Sequence, residues 1–149
     1  MDINTEKFKI HARQKKPLKG RDPSYRKGIS DKKAGKIQLK ATVNEISRLQ
    51  YRLYAENRQA LLIVVQAMDA AGKDGTIKHI FKGVNPHGCT VYSFGVPSSN
   101  ELQHDFLWRH YTKLPARGSI AIFNRSHYEN VLATKVHPEF ILKENLKDI

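Results

Sequence analysis

The sequence predicts an α/β fold in which a parallel sheet is connected by crossover helices. Two observations support this: short apolar, β-rich runs recur along the chain, and segments with helical periodicity lie between them. Such alternation is typical of a parallel sheet, because neighbouring parallel strands need a long crossover connection, usually a helix. The chain has 149 residues, about the length of one domain.

The predicted domain spans residues 31–149 and follows a basic, irregular extension, residues 1–30, which proline and glycine interrupt. From residue 31 to about residue 57, apolar residues recur at a period near 3.6 with charged residues between them, which predicts a long amphipathic helix. Ser30 or Asp31 can cap its start. We expect this helix to pack on the rest of the domain.

The first strand is predicted at LLIVV, residues 61–65, a continuous apolar run of the kind found in strands that are buried on both faces. The remaining elements are predicted in order as a helix over 76–84, a strand over 90–94, a helix over 101–112, a strand over 120–123 and a short helix over 139–146. The sheet therefore has three parallel strands.

Charge limits the classes of partner. There are 26 Lys and Arg against 14 Asp and Glu, a net charge of +12, and most of the basic residues lie in the first third of the chain. The electric field of such a charge attracts nucleic acid, anionic membrane or phosphorylated substrates. The alternative explanation of the charge is a solvated basic tail that binds no partner. No zinc-finger, helix-turn-helix or aromatic RNA-binding pattern occurs, so specific nucleic-acid recognition is not expected.

Location follows from the same composition. No apolar run approaches the roughly 18 residues that span a bilayer, so no membrane association is expected, and the N-terminus shows no secretory signal. Cys89 is the single cysteine, which excludes an internal disulfide and is better explained by packing than by chemistry. A cytoplasmic location is predicted.

The stretch QAMDAAGKDG, residues 66–75, joins the first strand to its helix and departs twice from the Walker A pattern G-x-x-x-x-G-K-[ST]. Ala67 stands where the first glycine belongs, and Asp74 where a serine or threonine belongs. Helix N-termini favour anions. We therefore predict a phosphate site, with an ordinary strand-to-helix turn as the alternative, formed by Ala70, Ala71, Gly72, Lys73, Asp74 and Gly75.

Asp69 and Asp74 would repel a bare phosphate, but they suit Mg²⁺, which carboxylates hold and which bridges phosphates. A second constellation, FNRSHYE, follows the third strand and should lie at the same carboxyl edge of the sheet. Arg125 can hold phosphate oxygens, and Glu129 can hold Mg²⁺ or orient the acceptor. The alternatives are a surface ion pair for Arg125 and a helix N-terminal acid for Glu129.

Three segments, QAMDAAGKDGTIKHIF, LWRHYTKLPARGSIAIFNRSHYE and VLATKVHPE, resemble the polyphosphate kinase 2 family in order and spacing, over about residues 20–145. The family's loop has the form x-x-D-A-A-G-K-x-G, which contains both departures from Walker A. The resemblance implies a P-loop kinase-like fold. It also implies Mg²⁺-dependent phosphoryl transfer between inorganic polyphosphate and adenine nucleotides (AMP, ADP, ATP), and association into a homo-oligomer.

The resemblance also implies roles for individual residues. Lys73 and the Gly72 backbone would hold phosphates, Asp69 would bind Mg²⁺ or orient the acceptor phosphate, and Arg125 would stabilise charge on the transferring group. Arg109, within the second matching segment, is a further expected phosphate-binding residue.

Many family members have Asp at the position of Asn124 and Asn at the position of Glu129. This sequence has the reverse and resembles the group called class III, which uses both monophosphates and diphosphates as acceptors. The acidic residue therefore stands at position 129, five residues after position 124, and Glu129 is the favoured metal ligand.

Family members are generally longer than this chain, so the resemblance implies an N-terminal portion without the basic helical lid. Two other functions stay open from the sequence: an ATP-using nucleoside monophosphate kinase, and a non-catalytic fragment that binds polyphosphate or other polyanions.

Overall fold

The computed structural model describes residues 5–13, 15–22, 24–26, 29, 31–68 and 70–143. The chain divides into two compact units, Met1–Ala41 and Thr42–Ile149. This division falls inside the first helix and not at residue 31, so a domain spanning 31–149 stays a prediction.

In the first unit, a 3-10 turn at Thr5–Phe8 is the sole regular element before residue 31 among the described residues. Arg21 organises this segment, because its guanidinium donates hydrogen bonds to the carbonyls of Pro17, Lys7 and Lys9, over 2.8, 2.5 and 2.6 Å.

Helix α1 spans Lys32–Glu56, within one residue of the prediction at each end. Asp31 caps it: Oδ1 accepts hydrogen bonds from the backbone N–H groups of Lys33 and Ala34, at 2.7 and 2.8 Å. In the second unit, Leu53 packs against the sheet. The predicted apolar face is only partly covered, since Leu49 stays exposed.

Three strands, β1 (Leu61–Val65), β2 (Cys89–Ser93) and β3 (Ile120–Asn124), form a parallel sheet in the order β1-β3-β2. The three-stranded parallel prediction is confirmed. The register pairs Val65 and Ser93 with Asn124, so all three strands end at the same level. The loops that follow them therefore emerge at one edge of the sheet.

The core lies on β3. Ile120 and Ile122 pack with Ile77 on one face, and Ala121 and Phe123 pack with Phe94 on the other. Cys89 packs beside the first of these clusters, and burial raises the pKa of its thiol, in keeping with a packing role.

The prediction that β1 is buried on both faces is wrong. Leu61 is 46% exposed and Val64 39% exposed, whereas Ile122 of β3 is fully buried. The reason is spatial order: β1 lies at an edge of the sheet, and the third strand in sequence takes the centre.

Helix α2 spans Lys73–Ile80 and not 76–84. Gly72, with φ 85°, occupies the N-cap position in the left-handed region that glycine tolerates, so the helix begins directly at Lys73. Gly83, with φ 92°, lies beyond the other end, where a left-handed residue cannot continue a helix.

The continuous helix predicted over 101–112 is also wrong. The structure has a 3-10 turn at Glu101–Gln103, an extended His104, and a short helix α3 at Trp108–Tyr111. Asp105 explains the interruption, because its side chain accepts a hydrogen bond from the Leu107 N–H at 2.9 Å and its carbonyl accepts one from the Trp108 N–H at 2.8 Å.

After β3 come helices α4 (His127–Val136) and α5 (Glu139–Lys143). A helix at α4 is predicted from the sequence only through the alternative for Glu129, a helix N-terminal acid, and Glu129 does lie in the first turn of α4. The helix predicted over 139–146 is present as far as residue 143, and residues 144–146 lie outside the described part of the chain. Within the described residues no helix is long and apolar enough to cross a bilayer. The cytoplasmic location stays a prediction.

Candidate functional site

The loop after β1 and the segment after β3 meet at the carboxyl edge of the sheet. The Arg125 N–H donates to the Val65 carbonyl at 3.0 Å, and Asn124 Nδ2 donates to Asp74 Oδ1 at 2.6 Å. Gln66 Nε2 donates to the Glu129 carboxylate. The structure therefore brings together the two segments that the sequence singled out.

The loop backbone is shaped for close approach of a ligand. Ala70 has φ 61° and Gly72 has φ 85°, and the Ala71 N–H closes a turn onto the Met68 carbonyl at 3.2 Å. No described side chain caps the start of α2. The first N–H groups of this helix have no intrahelical acceptor, so they are suited to an anion.

Lys73 is buried, with 8% of its surface exposed. Its ammonium donates to the carbonyls of Ala67 and Met68, at 2.7 and 2.9 Å. The cation is thereby fixed inside the loop and not extended into solvent.

A cavity of about 340 Å³, here called the loop cavity, lies over this segment. The residues that line the loop cavity are Ala70, Gly72, Lys73, Asp74, Gly75, Asn124 and Arg125. Two predicted phosphate-binding residues, Ala71 and Arg109, do not line it.

Arg125 has φ 69°, a left-handed conformation that is uncommon for a side chain of this size. Its Nη1 lies 3.2 Å from Glu129 Oε1, and both side chains are about one-third exposed. Backbone strain of this kind typically persists where function requires it. Glu129 therefore orients the arginine from one side while the sheet holds its backbone from the other.

A second cavity of about 300 Å³, here called the apolar cavity, adjoins the first, and Arg125 lines both. Its walls come from the segments after β2 and β3 and include Phe94, Leu102, Phe106 and Phe140. The loop cavity is lined by backbone and polar groups, so the two cavities suit different parts of a ligand.

Arg109 lines the apolar cavity, where its Nε lies 3.2 Å from Glu101 Oε1 and its guanidinium lies over the Phe94 ring at 5.3 Å. The pKa of Glu101 is lowered, chiefly because the Ser98 N–H donates to its carboxylate at 2.8 Å. Burial opposes this shift, and the Ser98 hydroxyl and the Arg109 charge reinforce it. A phosphate-binding role for Arg109 stays a prediction.

The described residues offer oxygen donors that fit part of a Mg²⁺ coordination sphere. Two buried amide oxygens, Gln66 Oε1 and Asn124 Oδ1, have no hydrogen-bond partner in the described part of the chain. The Asp74 carboxylate touches Asn124. Hard oxygen donors of this kind suit Mg²⁺, which commonly takes one or two carboxylates and completes its sphere with phosphate oxygens and water.

No group of three or more His, Cys, Asp or Glu that could hold a metal occurs within the described ranges. Asp69, a predicted catalytic residue and metal ligand, lies outside them. Glu129, the other predicted metal ligand, is engaged by Arg125 and Gln66.

Two residues of the site are not among those predicted from the sequence: Gln66, and His110, a buried histidine on the wall of the apolar cavity. The position of Gln66 directly after β1 was an available signal, since side chains there face the carboxyl edge. His110 gives no comparable signal, because the break before α3 determines where it points.

A loop that leads from a strand into a helix N-terminus, joined to an arginine-bearing segment at the carboxyl edge of a parallel sheet, is the arrangement of a P-loop kinase-like α/β fold. The family model described as Polyphosphate kinase 2 (PPK2) matches residues 29–148. The chain belongs to this family.

Relatives support the assignment. The chain is 48% identical over 145 residues to an ADP-polyphosphate phosphotransferase of Rhodopseudomonas palustris, covering 97% of this chain and 50% of the relative. It is 44% identical over 132 residues to an AMP/ADP-polyphosphate phosphotransferase of Meiothermus ruber, covering 88% and 49%. The crystal structure of polyphosphate kinase 2 from Arthrobacter aurescens TC1 matches with a TM-score of 0.76 and 38% identity, covering 82% of this chain and 45% of that one.

The chain thus spans about half the length of these relatives.

Proposed function

We propose that this site transfers a phosphoryl group between inorganic polyphosphate and AMP or ADP, with Mg²⁺ as the metal. The observation that supports the proposal best is the position of Arg125, which lines both the loop cavity and the apolar cavity. A phosphoryl group that passes from a donor on the loop to an acceptor beside it would come within reach of this guanidinium.

In this mechanism the start of α2 and Lys73 hold the terminal phosphates of the donor. A phosphate oxygen of the acceptor attacks the terminal phosphorus, the anhydride bond behind that phosphorus breaks, and the polyphosphate leaves one unit shorter. Arg125 stabilises the charge on the transferring group with its planar donors, and Glu129 keeps it oriented through the 3.2 Å ion pair. Such transfer depends mainly on positioning and electrostatics.

Mg²⁺, when bound, would neutralise negative charge on the phosphates. We propose that Gln66, Asn124 and Asp74 contribute oxygens to its surroundings. Asp69 and Glu129 stay the proposed metal ligands from the sequence, and Asp69 is also a candidate for orienting the acceptor.

The names of the relatives favour this function over an ATP-using kinase, because they specify AMP or ADP with polyphosphate. The net charge of +12 suits a long polyanion. We further propose that the protein acts as a homo-oligomer, which light scattering on the purified chain tests directly.

The deciding experiment incubates the 149-residue chain with polyphosphate, Mg²⁺ and AMP or ADP, and follows nucleotide products by ³¹P NMR. Parallel reactions replace polyphosphate with ATP. Product from polyphosphate that is lost in Arg125→Ala and kept in Arg117→Ala, an exposed arginine before β3, supports the proposal. Transfer from ATP alone indicates a nucleoside monophosphate kinase. Salt-sensitive polyphosphate binding without product indicates a polyanion-binding protein.

A further inference from the structure

One amide side chain links the two segments that meet at the site. Gln66 directly follows β1, and its Nε2 donates to Oε2 of Glu129, which lies in the first turn of α4. The other carboxylate oxygen, Oε1, lies 3.2 Å from Arg125 Nη1. Amide, carboxylate and guanidinium therefore form a continuous chain of contacts. It ends on the group that is proposed to stabilise the transferring phosphoryl group.

The orientation of the amide follows from its partner. A carboxylate only accepts hydrogen bonds, so it must face the NH₂ group of Gln66 and not the carbonyl oxygen. That oxygen, Oε1, is buried and has no hydrogen-bond partner in the described part of the chain. An amide placed for stability alone would normally have both ends bonded, because a buried acceptor without a partner is costly. The contact with Glu129 therefore determines how Gln66 is placed.

The ion pair between Glu129 and Arg125 is too open to solvent to hold itself. Both side chains are about one-third exposed. Pairs that water reaches typically contribute little, because water screens the charges and two long side chains must give up their rotamer freedom. A carboxylate that Gln66 already fixes has lost that freedom before the arginine pairs with it. Only the freedom of the arginine is then lost on pairing.

A neutral donor suits this task better than a charged one. A lysine or arginine at position 66 would also fix the carboxylate, but its charge would compete with Arg125 for Glu129. The amide of Gln66 carries no net charge, so it leaves the charge of the carboxylate to the guanidinium. The Arg125 N–H donates to the Val65 carbonyl at 3.0 Å. Two consecutive residues, Val65 and Gln66, thus act on the backbone and on the side chain of the same arginine.

We propose that Gln66 is a positioning residue: its amide holds the Glu129 carboxylate in the place where that carboxylate orients Arg125. The inference rests on the proposed function for the reaction that Arg125 serves, but the positioning itself can be measured without turnover. The proposed contribution of Gln66 Oε1 to the surroundings of Mg²⁺ uses the other end of the amide, so the two roles are compatible and are tested separately.

The test compares Gln66→Met, which keeps the length of the side chain but removes the amide, with Gln59→Met at an exposed position before β1 as the matched control. The order parameter S² of the Arg125 Nε–H bond, from ¹⁵N relaxation, reports the motion of the guanidinium. We expect S² to stay above ~0.6, the limit of flexible groups, in the unmodified chain and in Gln59→Met, and to fall below it in Gln66→Met.

A double-mutant cycle separates positioning through Glu129 from a general loosening of the site. Glu129→Ala should lower S² of Arg125 as well, and adding Gln66→Met to the Glu129→Ala chain should cause no further loss. In the transfer assay, Gln66→Met should lower kcat about tenfold, the effect of one hydrogen bond to a charged group. The KM for AMP should not change, because Arg125 acts on the transferring group and not on the bound acceptor.

Equal S² values of Arg125 in Gln66→Met and Gln59→Met would overturn the inference. So would a loss of S² from Gln66→Met that is as large in the Glu129→Ala chain as in the unmodified chain, because Gln66 would then act by a route without Glu129. If Gln66→Met does not fold, the scalar coupling across the hydrogen bond from Gln66 Nε2 to the Glu129 carboxylate decides. It is measured in the unmodified chain, and its absence overturns the inference.

The two proposals fail in different ways. An ordered Arg125 that depends on Gln66, in a chain without transfer, leaves this inference standing and removes the proposed function. Transfer from polyphosphate with the same kcat in Gln66→Met and Gln59→Met keeps the proposed function and overturns this inference.

Discussion

Replacing Lys73 with methionine tests the proposed phosphate-binding loop most directly. Methionine keeps much of the length and apolar volume of lysine but lacks the ammonium that donates to Ala67 and Met68 at 2.7 and 2.9 Å. Hydrogen bonds to charged groups stabilise by about 1.5–3 kcal/mol each, so the two together stabilise the closed loop by at least about 3 kcal/mol. Because Lys73 is only 8% exposed, water cannot readily replace these bonds.

Three results follow from this loss. Exchange of the Ala71 amide, which is bonded to the Met68 carbonyl in the same loop, should accelerate about 100-fold, because each 1.4 kcal/mol corresponds to a factor of ten. Transfer from polyphosphate should fall about 10²–10³-fold, as in other sites that lose one preorganised donor to the transition state. The melting temperature should fall as well, by about 6–12 °C, because the lost bonds stabilise the folded state and each 1 kcal/mol corresponds to about 2–4 °C in a domain of this size.

Lys78→Met is the matched control, because it removes the same charge from an exposed position of α2 and changes the long-range field by the same amount. Hydrogen exchange followed by NMR, together with the transfer assay, measures the first two effects. If Lys73→Met and Lys78→Met have equal Ala71 exchange rates and equal turnover, the assignment of Lys73 to the loop and the ligand is refuted.

Three other changes test separate features. Asn124→Asp places a second carboxylate against Asp74, where Asn124 Nδ2 now donates at 2.6 Å; we expect a lower melting temperature without metal and a larger rise on adding Mg²⁺ than in the unmodified chain. Gly118→Ala should destabilise by about 1–2 kcal/mol in urea unfolding, because φ is 77° and the new Cβ would lie 3.2 Å from the Tyr54 carbonyl. Glu101→Gln should lower the free energy of unfolding at neutral pH. The difference from the unmodified chain should shrink as the pH falls through and below the ordinary glutamate range, because a carboxyl group with a lowered pKa stabilises the fold only while it is ionised.

Each of these has an outcome that contradicts it. Equal Mg²⁺ responses of Asn124→Asp and the unmodified chain would exclude this edge as a metal site. Gly95→Ala, where a Cβ meets nothing within 4 Å, is the control for Gly118→Ala and should cost less. A stability difference for Glu101→Gln that does not depend on pH would show that its charge does not matter.

The strands were predictable because their physical signal is local. A run such as LLIVV, bounded by polar residues, needs no long-range information to be assigned as a strand. Its burial was not predictable in the same way, because exposure depends on which strand lies in the centre. Leu61 and Ile122 are both apolar strand residues, yet one lies at an edge and the other in the middle of the sheet.

The ends of the helices depend on single residues that hydrophobic periodicity does not reveal. Gly72 starts α2 earlier than its sequence suggests, and Asp105 interrupts the periodic stretch before α3 by satisfying backbone N–H groups locally. The start of α4 did carry a usable signal, because Ser126 followed by Glu129 has the spacing of a capping box, and Ser126 Oγ accepts from the Tyr128 N–H at 3.2 Å.

The candidate site, too, could be predicted from the sequence only in part. The loop and FNRSHYE could be predicted to meet, because both follow parallel strands and such strands end at one edge. The apolar cavity could not be predicted, since one of its walls is built by the irregular segment after β2, whose path depends on turns and not on periodicity. The resemblance to the family assigned roles to residues, but it did not indicate which of them would share a cavity.

The left-handed backbone at Arg125 has a consequence for attempts to stabilise this protein. A non-glycine residue at φ 69° carries a conformational penalty of about 1–2 kcal/mol that glycine would not. Selection of random variants for heat resistance alone should therefore enrich Arg125→Gly, and Ala70→Gly in the loop for the same reason. Variants recovered in this way should melt at a higher temperature and, at position 125, transfer phosphate poorly, so thermal selection of this fold needs a simultaneous selection for activity.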